Sequence, residues 1–205
     1  MPLVSGAKTS TNAAGLQDTI YGISYSPVGV IYRAYDSTVS YASSDAATSI
    51  MPTYTTKGYG SRKLIGLRNN AGIIGGFYPG MLLKTFIYGL ITNTGTPNLT
   101  TTIGLVDDGS NFEALGTTGA VAMTTISGNG VLQVTGWIDI LALSGSNNVL
   151  SWVEHRYNNT FVTSVPTLFT VDLTQADLTV DVRTTFSASS ASNAISAYGG
   201  FIEAR

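Results

Sequence analysis

From residue 50 to the end, apolar segments of strand length recur at short spacing, each closed by a cluster of Gly, Asn or Asp. That rhythm restricts the chain to an all-β fold. It is plainest in Leu178 to Phe186, where Leu178, Val180, Val182 and Phe186 face one way and Thr179, Asp181, Arg183 and Thr185 the other. A period of two belongs to a strand with one buried face. Leu99, Ile103 and Leu105 alternate with Thr100 and Thr102 in the same way. Turns fall at Tyr78-Pro79-Gly80, at residues 93–98, at Asp107-Asp108-Gly109, at residues 144–148 and at Asn158-Asn159, the last reading as a hairpin. Met81 to Ile91 is a long apolar strand with Lys84 as its only charge, which implies burial on both faces or against a neighbouring subunit. Val131 to Leu143 is a second long strand, and Gly136 inside it marks a bulge or a close approach.

Helices find little support. The longest helix-like stretch, Asn111 to Leu115, is too short to stand alone. Strands at this spacing, with no strand–helix–strand rhythm and no internal repeat, predict an antiparallel two-sheet sandwich of jelly-roll type.

The first part of the chain reads differently. Residues 1–48 open small and polar, then carry Tyr21, Tyr25, Tyr32, Tyr35 and Tyr41 among Gly, Ser, Pro and Val. Gly22, Pro27 and Gly29 break any helix there. The preferred reading is an extended N-terminal arm and linker (1–48) whose five tyrosines dock on another surface, leaving the sandwich domain to residues 49–205. A short N-terminal hairpin packed on the domain's own core is the alternative.

Composition bears on partners. Charged residues make up 11% of the chain, against about 25% in ordinary soluble domains, and 28 Thr with 21 Ser supply the polarity. Such a surface meets other protein rather than repelling it. Ten basic residues are scattered, with Lys57 to Arg68 the densest stretch, so no stripe tracks a phosphate backbone and nucleic acid is not expected as a direct partner. With no cysteine there is neither a disulfide nor a thiolate metal site. No basic start followed by an apolar run opens the chain, and no run of about 18 apolar residues occurs. The expectation is a protein made in the cytoplasm with no membrane partner.

No constellation asks to be read as catalytic, cofactor-binding or metal-binding. His155 is the only histidine. Ser151 shares its face of a strand but stands about 13 Å away, and Glu154 points to the other face. A surface or interface histidine is the reading that follows. Asp107 to Asn111 superficially resembles a calcium loop, but Glu113 comes too early for the distal ligand, so a turn with exposed carboxylates is expected. Gly72 to Gly76 lacks the Lys-Ser/Thr of a phosphate loop. Trp137 and Trp152 read as core or sheet-packing residues, with a carbohydrate platform as the alternative.

The segment Thr170 to Ala204 resembles the C-terminal strand pair of jelly-roll domains in tailed-phage structural proteins. Its elements are Asp172-Leu173-Thr174, the alternating Leu178 to Phe186, the small turn Ala191-Ser192-Asn193, and the last apolar strand Ala194 to Glu203. Gly80 to Leu105 is similar to the family's paired strands around a Gly-Thr-Pro turn, and the likeness spans residues 50–205. The tryptophan usual in the alternating strand is Phe186 here. The resemblance implies a non-enzymatic virion protein, a capsid decoration or cement protein forming a homotrimer and held by its arm to the major capsid protein or another virion protein. A receptor-binding module of a head fibre or tail tip, recognising host surface glycan or protein, is the second implication. A glycan-processing enzyme or free lectin is a third reading of the same fold.

Overall fold

The computed structural model describes residues 10–11, 17–18, 29–42, 45–52, 59–60, 63–64, 77, 79–107, 110–175 and 178–205, with 10–11, 17–18, 29–31, 35–42, 59–60 and 63–64 by backbone only. The fold rests on β1 (Gly29–Ala42), β2 (Thr48–Ser49), β3 (Met81–Asn93), β4 (Asn98–Val106), β5 (Phe112–Thr117), β6 (Ile126–Ile140), β7 (Val149–Tyr157), β8 (Leu178–Phe186) and β9 (Ala194–Ala204). No helix occurs among the described residues.

These strands make two antiparallel sheets. The larger runs β7-β6-β3-β9-β1, with Thr160–Thr163 and Thr167–Phe169 both pairing the outer edge of β7. The smaller has β4 and β8 at its centre, flanked by β5 on one side and β2 on the other. The pairs are nested. β1 pairs β9, β2 pairs β8, β3 pairs β6 and β4 pairs β5. A chain doubled back on itself as one long hairpin and then rolled into two layers gives this order, and it is the jelly roll expected from the strand rhythm.

Between the layers lies the core. Leu83, Ile87 and Ile91 of β3 and Leu99, Ile103 and Leu105 of β4 belong to one buried cluster, all within 1% of complete burial, each contributing about 1.5–3 kcal/mol by leaving water. Gly136 of β6 allows a close approach between the layers. A Cβ there would stand 2.4 Å from Cδ1 of Ile103 in the facing sheet, so a larger residue would push the layers apart. The register of β6 runs unbroken through Gly136 and slips instead between Ile126 and Gly130, so the close approach holds and the bulge lies elsewhere.

Within residues 1–48, β1 is a sheet strand hydrogen-bonded along β9, and Thr48 of β2 pairs with Thr184 of β8. Tyr32 is buried in the core with its hydroxyl donating to the Pro52 carbonyl, beside buried Ala34. Without β1, the edge of β9 would present a row of unpaired backbone groups, and an aromatic ring gains more in the core than on a docking arm. The helix-like stretch at Asn111 is also a strand. Phe112 packs where a side chain on Gly104 would be, since a Cβ there would lie 2.6 Å from its ring, and the Arg183 guanidinium sits 4.1 Å above the ring centroid. That tertiary contact outweighs a weak local preference.

Candidate interaction surface

The larger sheet has a second face, turned away from the core, and it is paved with aromatic rings. Alternation along β3 sends Leu83, Thr85 and Ile87 inward and Lys84, Phe86 and Tyr88 outward. Register then aligns the outward side chains into rows across the strands. One row runs Glu154, Thr135, Phe86, Phe201, Arg33. The next runs Trp152, Trp137, Lys84, Glu203.

Within the rows the rings touch. Trp137 and Trp152 stack with centroids 5.1 Å apart and planes 14° from parallel, an offset arrangement that favours aromatic pairs by about 0.5–1.5 kcal/mol beyond burial. Phe86 lies 5.5 Å from Phe201 and 6.3 Å from Tyr88. Tyr88 lies down over β9 because Gly199 stands beneath it; a Cβ there would be 2.4 Å from the tyrosine hydroxyl oxygen. Phe86, Tyr88, Phe201 and Arg33 frame a shallow depression of about 400 Å³ floored by Gly200 and Ala34. Tyr88 and Tyr198 are each 42% exposed, and Phe161, at the sheet's edge, 58%. Partly exposed rings grouped in this way on an outer sheet face make it a candidate interaction surface.

Charges on this face are of both signs and stand among the rings. Partial burial pushes the Glu154 carboxyl above the usual glutamate range, against the opposing pull of a hydrogen bond with Thr135 and of the Lys84 ammonium. Arg205 reaches Glu203 at 3.1 Å. The two ring clusters lie where the sequence alone does not place them. Trp137 and Trp152 pack on each other outside the sandwich rather than between its layers, and Phe86, Tyr88 and Phe201 were not singled out. The available signal was the near-absence of charge in Met81 to Ile91.

The five tyrosines assigned to docking divide differently. Tyr32 serves the core. Tyr35 and Tyr41 stand in β1 opposite Gly199 and Ser196 by backbone register, with side chains outside the described residues. Tyr21 and Tyr25 also lie outside the described residues, as do Gly72 to Gly76.

The expected surface histidine is instead fully buried. His155 lies on the inward parity of β7 with Val153 and Tyr157. Its Nδ1 is 2.8 Å from the Thr101 hydroxyl of β4, so it links the two layers, and its Nε2 has no hydrogen-bond partner. Burial depresses the imidazole to about 4, which keeps it neutral at pH 7. Ser151 donates instead to the Trp137 carbonyl at 2.7 Å, so serine and histidine form no dyad. Asp107 accepts from the Asn111 backbone N–H at 2.8 Å and from its Nδ2 at 2.9 Å, the local bonding of a turn. Among the described residues no group of three His, Cys, Asp or Glu is placed to hold a metal. The chain matches no protein-family model, no curated protein and no solved structure.

Proposed function

We propose that this chain is a non-enzymatic structural protein of a tailed-phage particle, a jelly-roll subunit that decorates or cements the capsid as a homo-oligomer, the homotrimer of the resemblance. The observation that carries the reading is the aromatic outer face of the larger sheet. A sandwich needs only one apolar face per sheet; a second is of use against another protein. The 11% charged fraction supports the same reading, since wide contacts then bury few ions. Many copies on a repeating shell sum modest affinities through multivalency. In this reading the protein is made in the host cytoplasm and resides in the virion, and Tyr21 and Tyr25 contribute to attachment on the major capsid protein or another virion protein. Electron microscopy of purified particles, with the subunit located by a bound antibody fragment, tests the proposal. Density at regular capsid sites is the expected result; particles without the protein refute it.

A second reading, the receptor-binding module of a head fibre or tail tip, draws on a different observation. Beyond the aromatic rows, Gln133, Arg156, Asn158 and Asn159 line a groove of about 640 Å³ at the edge of the sheet, next to exposed Phe161. Neutral amides beside an aromatic ring suit the hydroxyls and apolar faces of a sugar. Retention on purified host envelope, absent on isolated capsids, favours this reading over the first.

A further inference from the structure

The geometry points to a second copy of this chain as the partner of the aromatic face, the two copies packing large sheet against large sheet. This inference rests on the reading above only for self-association, since two copies meeting through the same face form a two-fold pair and the trimer of the resemblance would need a further contact; two observations and one geometric argument carry it.

The first is size. Five strands about 4.8 Å apart, followed over the nine residues of β7 at about 3.4 Å each, span roughly 700 Å². A standard stable interface takes about 800 Å² from each partner.

The second is charge. Arg33, Lys84, Arg156 and Arg205 share the face with Asp139, Glu154 and Glu203. Among the described residues, four positive and three negative groups leave no dominant sign to attract a polyanion or a basic partner. They do let each copy offer a carboxylate to the other's cations. A copy of this chain brings the same near-neutral surface, and at a net charge of −2 two copies repel only weakly.

The third is twist. Face-to-face sheets pack about 10 Å apart with strand directions set by the twist of each. A second copy supplies a sheet of the same width and twist, which an unrelated surface supplies only by adaptation. The depression between Phe86, Tyr88 and Phe201 then receives a side chain from the facing copy, filling a hollow that an isolated subunit leaves to water.

The chain's two tryptophans, Trp137 and Trp152, both stand on this face, so intrinsic fluorescence reports on it alone. The test follows the full-length purified chain by sedimentation and by acrylamide quenching across a dilution series. The expected result is an oligomer at micromolar concentration whose tryptophan quenching rises severalfold as it dissociates. A Phe86→Glu, Phe201→Lys double variant, altered only at outward positions, should keep the wild-type far-ultraviolet circular dichroism and sediment as a monomer. An oligomer whose quenching does not change on dissociation places the interface elsewhere and overturns the inference. A wild-type chain that sediments as a monomer throughout overturns it too. Neither result bears on whether the protein is found on phage particles, which the microscopy decides separately.

Discussion

Acid should loosen this fold through His155. The imidazole is enclosed between the sheets, with Nδ1 against Thr101 and Nε2 buried without a hydrogen-bond partner. Protonation would place a charge and an unpaired N–H donor there. Burial holds the folded-state value at about 4, against 6.5 for a free histidine. The unfolded chain therefore binds the proton first as pH falls, and stability must fall with it. The contribution is intact above about pH 6.5, declines between 6.5 and 4, and levels off below. The difference of about 2.5 pH units corresponds to about 3 kcal/mol, a large share of the roughly 5–15 kcal/mol that holds a domain together. Glu113 and Glu154 act in the opposite sense. Partial burial raises both, with nearby Asp172 adding to the effect on Glu113, so protonating them favours the folded state as pH falls through their raised values. The assay is therefore a comparison, with urea unfolding at several pH values between 7.5 and 4 for the wild type and for His155→Gln, which keeps an amide near Thr101 but does not titrate. The wild type should lose about 3 kcal/mol more than the variant across that window. Equal slopes for the two proteins would refute the argument.

Other contacts make sharp predictions. Gly89→Ala would put a Cβ 2.2 Å from the Ser196 carbonyl oxygen of β9 and should cost more than about 2 kcal/mol in urea unfolding, whereas Gly119→Ala, with nothing within 4 Å, should change stability by less than about 0.5 kcal/mol. Asn148 imitates a strand by donating Nδ2 to the Val171 carbonyl and accepting the Val171 N–H on Oδ1; Asn148→Ala orphans both buried groups and should lower thermal stability by about 2–4 kcal/mol. Tyr32→Phe removes the bond to the Pro52 carbonyl and should cost about 1–2 kcal/mol by the same measurement. Deleting residues 1–42, which strips β1 from β9, should leave an aggregating product where deletion of 1–28 leaves a soluble fold, as separation of soluble and pelleted protein will show.

Much of the architecture is legible before any coordinates. Leu178 to Phe186 has so clear an inside and outside that its strand and its core-facing residues follow from the alternation, though Asp181 of the outward set is itself buried against Ser49 and Arg183. The long strand beginning at Met81 is legible only by half. Its lack of charge announces two apolar faces, but not that one meets the core and the other carries Phe86 and Tyr88. The interaction surface stayed hidden for a related reason. Trp137 and Trp152 become a stacked pair only once β6 and β7 are in register, and a sequence does not print register between strands. β1 escaped because tyrosine is at home both in a core and on a docking arm, so its three tyrosines, Tyr32, Tyr35 and Tyr41, carry no inward or outward sense. His155 escaped because a single imidazole can be buried neutral at a cost that one hydroxyl, from Thr101 in the other sheet, partly offsets.

The nesting of the strands also dictates when the protein can exist. In each sheet the strand made late on the ribosome sits between strands made earlier: β9 separates β1 from β3, and β8 separates β2 from β4. Gly29 finds its partner only in Ala204. Until β8 and β9 emerge, β1 has no neighbour in its sheet but a short edge segment, and β3 keeps one hydrogen-bonding edge bare. Pairing at such sequence separation is slow, and bare edges on many nascent chains invite pairing with the wrong copy. The sandwich closes late, when two central strands enter both sheets, and rapid synthesis of many copies is the condition under which that closing is most at risk.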